Sequence, residues 1–559
     1  MPSNKEVGIV VLLKLRLEAQ PGFLDLDWHC GDVHVRRSSE DPEVEVFPCH
    51  KWIRTADGNV ELRNAKVCLK KKETLAILTN HRERDLQQKQ QFIKWGTFVV
   101  DGPHCVDMSS VTALGPNFSY ICQRPVNNVH YIKSFIERRT SWSSLQELET
   151  FFLFNGRENT IAKYVQAHWQ EDAFFEYQCL NGCNPLCVRQ IRNLPPNLSV
   201  TSEMVRPFLP EEMERGQRNI LDYEVLDQLP ANTVNDKQTY LAASLCLLHY
   251  NRQGELKPIA VQLQQAPGPQ NPVLVALVVS PSATFPFLRT HLIGEVCCTA
   301  TLRQLPEIHP LHQLMPHIRS TLQINIQAFL TRLVQYHCCL LETQRLRYSS
   351  MCVPDDIRVR GLDAIPICYY AQDALGFWDA LHRFVAGWIR LYYCNDEDVQ
   401  HDCELQNWIR EIFTQGFLGL SAIGSFLCKM HKLIFSCSAL HAAVNFSQVC
   451  SNSPAAMSRP PSQTKGSVSE EDIFSFFPEV NSSCHVLSVL SLLSQPAIDF
   501  VPLCHYNEWY FSSGATIKLV EEVRRELKMI AKDIADRNSQ LELPYTYLSP
   551  DHIENSVTV

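Results

Sequence analysis

No stretch of this 559-residue chain is apolar for long enough to span a bilayer, which takes about 20 such residues in a helix, so a helical membrane protein is not expected. Positive charge is in short supply too. With 51 Lys and Arg against 60 Asp and Glu, the net charge is -9 and the isoelectric point is near 6.1. That argues against a nucleic-acid binder, which usually carries a basic patch. The 22 cysteines lack regular spacing, and a chain this long can bury its core without disulfide staples, so free thiols in a reducing cytosol are expected. Internal repeats are absent. Val7 to Leu13, after Lys5, has the look of a short signal-peptide core, but it runs into Lys14-Leu15-Arg16-Leu17-Glu18, which alternates polar and apolar as a half-buried strand does. No small-residue cleavage site follows it. The expectation is a cytoplasmic protein, with peripheral membrane contact as a secondary one.

What remains, 45% hydrophobic and 20% charged residues, is ordinary globular composition. Residues 1–96 read as β-rich. Ile9 to Glu18 alternates, as do Asp32 to Arg36 and Glu43 to Phe47, with Ala19-Gln20-Pro21-Gly22 as a loop between strands. Phe47 to Ile53 is an aromatic cluster suited to a sandwich core, although so few strands make a thin sandwich. The polar run His81 to Trp95 reads as a short helix or linker leading out of it. Residues 97–559 read as mostly helical. Trp378, Leu381, Val385, Trp388 and Tyr392 recur at spacings of three and four, and so do Val520, Val523, Leu527, Ile530 and Ile534. Both stripes are most simply core. Ser451 to Gly466, rich in Pro and Ser, reads as a surface loop. The fold class is α+β, a β-sandwich followed by a large mainly helical domain.

Chemistry concentrates in Ile434 to Gln448, an apolar stretch without Gly or Pro that carries His441 and Asn445. At i and i+4 the two share one face of a helix. They suit two ligands of a hard-to-intermediate metal, or equally a buried histidine hydrogen-bonded to an amide one turn away. Cys179, Cys183 and Cys187 fit no standard zinc spacing.

Longer strings are more specific. HWQEDAFFEYQCLNGCNP at 168–185, LAASLCLLHYNRQGELKPIAVQLQQAPGP at 241–269 and THLIGEVCCTATLRQLPEIHPLHQLMPHIRSTLQIN at 290–325 resemble blocks of the animal lipoxygenases. So do 392–417, 434–448 and the final ENSVTV. The likeness covers nearly the whole chain and is of the epidermal and second-type 15-lipoxygenase branch. It implies an N-terminal PLAT-like β-sandwich, here truncated, and a helical lipoxygenase domain holding one non-haem iron. It also implies a polyunsaturated fatty acid, arachidonate or linoleate, as substrate. A bis-allylic hydrogen is lost and dioxygen adds to the pentadienyl radical, giving a hydroperoxide. By resemblance His441, Asn445 and the terminal carboxylate of Val559 are metal ligands, and Ala328 is a substrate-binding residue at the position tied to S-stereochemistry. His309, His312 and His317 match structural elements of the family and not a metal site.

The departures matter as much. The family places two further histidine ligands on the helix ending Leu-Leu-Arg-Thr-His-Leu. Here Leu288-Arg289-Thr290-His291-Leu292 remains, but the spacing falls on Pro281 and Pro286, within the dissimilar stretch 275–287. A ligand-bearing helix does not pass through two prolines so placed. His291 matches a non-ligand position. Three ligands of five predict weak iron binding and little or no turnover. Beside the dioxygenase reading stands that of an inactive lipid-binding pseudoenzyme, or of an incomplete gene model or splice form.

Overall fold

The computed structural model describes residues 8–18, 27–36, 44–64, 66–97, 104–107, 141–144, 163–164, 167–168, 171–182, 186–205, 218–227, 233–234, 237–238, 242–251, 253–268, 271, 273–275, 293–314, 351–417, 432, 434–440, 442–443, 480, 500–506, 511 and 513–554. At the N-terminus, β1 (Leu12–Arg16) pairs antiparallel with β4 (Asn59–Arg63), and β2 (Trp28–Val35) with β3 (Glu45–Ile53). Alternate side chains turn inward, as a period of two requires. Phe47, Cys49 and Ile53 meet Cys30 and Leu62 in a small core edged by Leu13, Leu15, Val33 and Val60. The aromatic cluster read from the sequence is thus half core and half surface.

The polar run beyond is helix α1 (Ala76–Phe92), followed by a minimal strand pair, β5 (Trp95–Gly96) with β6 (Cys105–Val106). Leu69 and Ile93, on either side of α1, belong to the large core of the helical region. The backbone amide of Cys68 donates to Ile308 at 3.1 Å.

A five-stranded antiparallel sheet stands inside the region expected to be helical. Its strands are β7 (Val188–Ile191), β8 (Arg218–Asp222), β9 (Leu245–Tyr250), β10 (Leu256–Gln262) and β11 (Val273–Val275), in the order β11-β10-β9-β8-β7. Leu245 to Leu248 are buried on both faces. A strand covered on both sides shows no alternation, which is why it resembles a buried helix in sequence. Helix α2 (Asp172–Asn181) lies against it, and the carboxylate of Glu176 accepts the backbone N–H of Leu256. Burial pushes the Glu176 carboxyl up to about 7; the Leu256 hydrogen bond opposes this and Glu255 adds to it.

Seven further helices matter here. They are α3 (Ile293–Gln304), α4 (Pro310–Leu314), α5 (Val353–Arg360), α6 (Tyr369–Tyr392), α7 (Asp396–Gln400), α8 (Cys403–Glu411) and α9 (Gly514–Asn538). The stripe on α6 is buried at Trp378, Leu381, Val385 and Trp388, in one core with Val520, Val523 and Leu527 of α9, where Ile534 is also buried. Arg537 of α9 closes the pair by a two-pronged contact to Asp373 of α6, at 2.5 and 2.9 Å. No helix among the described residues is long and apolar enough to cross a membrane.

Candidate metal centre

The stretch carrying the expected ligands lies against α6. The ring of Phe435 packs edge-on to Phe377 at 6.1 Å and to Trp378 at 5.5 Å. Ala439, Leu440, Ala442 and Ala443 are buried beside it. The uniform α-helix expected here is corrected by the structure, because Ser436–Leu440 is a π-helical turn. Its backbone bonds span five residues instead of four. His441 and Asn445 lie outside the described residues, as do Val559, Ala328, His317 and 276–292, with Pro281, Pro286 and His291. The last described residues are tied down. The amide of Leu503 donates to Ile553 at 2.9 Å, and Pro502 bridges to Glu554, five residues before Val559.

A second group of donors is fully visible: His309, Asp402 and Glu404, all buried, with donor atoms within 4.8 Å of one another. Elementary bookkeeping decides whether it is free to take a metal. Nδ1 of His309 accepts the amide of Leu311 at 3.1 Å, so that nitrogen carries no proton. Nε2 therefore carries one and donates to Asp402 Oδ2 at 3.1 Å. The same oxygen accepts the Tyr393 hydroxyl at 2.6 Å. Oδ1 of Asp402 caps α8, accepting the amides of Glu404 and Leu405 at 3.2 Å each. Both oxygens of Glu404 are held by Arg82 of α1, whose Nε lies 2.6 Å away; the two side chains are 6% and 1% exposed. Arg82 also donates to the carbonyl of Cys68 at 3.1 Å. Every nitrogen and oxygen of the three side chains is already engaged, and both imidazole nitrogens are spent.

This is a structural knot that joins α1, α8 and the end of α6, as the resemblance implied for His309. Burial alone would raise the Asp402 carboxyl, but the hydrogen bonds from His309, Tyr393 and the Leu405 amide outweigh it and hold it down at about 2. Burial and the adjacent Asp402 push the Tyr393 hydroxyl far up, so it stays a donor. His312 is likewise structural, its Nδ1 donating to the Leu305 carbonyl at 2.8 Å.

The far end of α8 has a matching anchor. Glu411 accepts Trp95 Nε1 at 2.7 Å and also takes Arg303 and Gln304 of α3. Sequence reasoning missed Arg82, Tyr393, Asp402, Glu404 and Glu411. One signal was available, since Asp402 immediately before α8 is an N-cap residue type with Glu close behind it. Nothing in the sequence pairs it with His309.

Comparison with known proteins gives a consistent answer. A family model described as Lipoxygenase matches residues 282–348 and 344–546. The chain is 37% identical to polyunsaturated fatty acid lipoxygenase ALOX8 of Mus musculus over 578 residues, covering 92% of this chain and 85% of that one. It is 34% identical to hydroperoxide isomerase ALOXE3 of Mus musculus over 660 residues, covering 99% and 92%. Among solved structures it resembles coral 8R-lipoxygenase, described with calcium activation through a C2-like domain. The identity is 27% and the TM-score 0.84, over 99% of this chain and 91% of that one. It also resembles a LOX variant crystallised anaerobically in complex with arachidonate, at 26% identity and TM-score 0.86, over 100% and 92%.

Proposed function

The chain belongs to the lipoxygenase family, and on that footing we propose that it keeps the family's fatty-acid-binding frame but has an incomplete metal site, and is inactive or nearly so as a dioxygenase. One observation carries this reading. Pro281 and Pro286 stand where the family's two helical histidines are expected, at the edge of the segment that the family model matches from residue 282, and proline removes a donor and clashes with the preceding turn. One feature of the comparisons supports an omission relative to the family. The alignment with ALOXE3 runs over 660 residues against a chain of 559, so about a hundred aligned positions have no counterpart here.

The retained donors are the imidazole of His441, the amide oxygen of Asn445 and the terminal carboxylate of Val559. One nitrogen and two oxygens suit a hard-to-intermediate metal. Three donors do not make the five-ligand set that goes with the family's non-haem iron, and the residues present do not fit that group in full. The chain's own residues bind and shield instead. Phe377, Trp378 and Phe435 form buried aromatic packing next to the ligand stretch, apolar surroundings of the kind a polyunsaturated acyl chain requires. Ala328 is proposed as a lining residue. The division of sandwich from helical domain at residue 96 is kept as a proposal, with Leu69 and Ile93 ahead of it packed into the large core. The sandwich is proposed as a membrane-facing surface.

An active dioxygenase is the second reading, favoured by the 37% identity to a polyunsaturated fatty acid lipoxygenase. The two separate in one preparation of the full chain, by titrating arachidonate and following conjugated-diene formation. Binding without diene is expected. Diene formation at a rate lost on His441→Ala supports the active enzyme.

A further inference from the structure

We propose that Ser438 is a positioning residue whose hydroxyl holds open the π turn Ser436–Leu440, fixing the angle at which the chain passes from Phe435 to Ala442. The functional weight of this rests on the metal-site reading above, since His441 and Asn445 follow this turn in sequence; the structural claim does not.

The same arrangement occurs twice. Among the described residues there are two π-helical segments, Ile412–Gly416 at the end of α8 and Ser436–Leu440. Each has a hydroxyl at the third of its five positions, Thr414 in one and Ser438 in the other. Each hydroxyl donates to the carbonyl four residues back. Thr414 Oγ1 reaches Arg410 at 2.8 Å, and Ser438 Oγ reaches Ile434 at 2.5 Å. That carbonyl is the one an α-helical amide at the same position would use, so the hydroxyl competes with the α-helical bond. π turns occur mostly as single turns within α-helices and are otherwise disfavoured.

The bond is not sufficient by itself. Thr301 makes the same contact to Cys297 at 2.7 Å within α3, which stays α-helical. There the hydroxyl is shared, because Trp408 Nε1 donates to it at 2.8 Å. Outside forces also hold the first π segment. Gly416 lies so close to Val296 of α3 that an added Cβ would sit 2.3 Å from its Cγ1. The hydroxyl is therefore the local latch on a turn that packing favours.

The consequence is angular. A residue advances an α-helix by about 100°, so a turn holding one extra residue rotates everything beyond it by about that amount relative to an uninterrupted helix. Ala442 and Ala443 are buried beyond the turn, and their register depends on it. Without the hydroxyl, the Ile434 carbonyl loses its side-chain donor, and closing the turn to α register becomes the cheaper arrangement.

The test is hydrogen exchange by mass spectrometry on the full chain, with Ser438→Ala, Ser438→Thr and Ser438→Cys, and Thr414→Ala for comparison. Ser438→Ala is expected to change protection in peptides covering 434–443 by about tenfold, the scale of one lost hydrogen bond. Ser438→Thr is expected to retain wild-type protection, and Thr414→Ala to act on 410–417 only. If Ser438→Ala does not fold, Thr against Cys decides: wild-type exchange in Thr with altered exchange in Cys supports the latch. Wild-type exchange in Ala or Cys, or altered exchange in Thr, overturns it. The metal-site reading is judged separately by the iron content of wild type and His441→Ala. One iron per chain in the wild type, lost in His441→Ala, defeats that reading and leaves the exchange result standing.

Discussion

His309, Asp402 and Glu404 form a cluster that looks like a metal site in space and like nothing in sequence. Ile434 to Gln448 is the reverse, a stretch that points to a metal only through sequence and resemblance. In the first, every donor atom already has a partner within the protein, down to the two imidazole nitrogens. In the second, the donors are proposed from the family's pattern alone, and proline stands at the two positions where that pattern expects further histidines. The difference teaches that proximity of His and carboxylate is weak evidence of a metal. What counts is whether lone pairs remain unspent, and in buried knots they seldom do.

The comparison can be broken most forcefully at Glu404. Replacing it with Leu leaves the guanidinium of Arg82 buried without its carboxylate, and losing one partner of a buried pair costs about 3–5 kcal/mol. Urea unfolding should show that loss with the iron content of the preparation unchanged. A fall in bound iron without a fall in stability would make the cluster a metal site after all.

Glu176 extends the contrast to a buried carboxyl with a backbone amide but no cation as its hydrogen-bond donor. Its folded value of about 7 lies above the ordinary 4.5, so the folded state favours the protonated acid. The contribution of Glu176 is then greatest below about pH 4.5 and falls as pH rises through about 7, by about 3 kcal/mol in all. Glu176→Gln keeps an acceptor for Leu256 and should abolish that slope in unfolding measured between pH 5 and 8. A slope that survives in the variant rejects the assignment.

Asp402 works in the opposite sense. Held at about 2 against an ordinary 3.8, it stabilises the ionised knot. Its contribution of about 2 kcal/mol is present above about pH 4 and is lost as pH falls through about 2. Acid unfolding of Asp402→Asn should show a flatter limb over that window. An unchanged limb would mean that the hydrogen bonds around Asp402 do not favour its ionised form.

Much of this was legible before any coordinates. The stripes on α6 and α9 bury most of the residues their periodicity selects, with Tyr392 and Ile530 half-buried, because a 3.6-residue repeat has one way to face a core. The sandwich strands were found through their alternation. The five-stranded sheet was not, because Leu245 to Leu248 are buried on both faces and carry no period. Where α1 belongs was hidden for another reason. Its run is polar, and the residue that docks it, Arg82, is a buried arginine that looks like any surface charge until Glu404, 322 residues away, is placed opposite it. The π turns were equally invisible, since Ser438 and Thr414 are of a kind seen on many ordinary helices. The family's strings identified the chain, and local physics alone would have stopped at a buried histidine and amide.

The central claim is that this chain holds an incomplete metal site. It is tested most directly by purifying the full chain from iron-supplemented cells, then measuring iron per protein and conjugated-diene hydroperoxide from arachidonate in the same sample. The account predicts iron well below one per chain and no hydroperoxide above a His441→Ala control. One iron per chain with hydroperoxide formation that His441→Ala abolishes would contradict it.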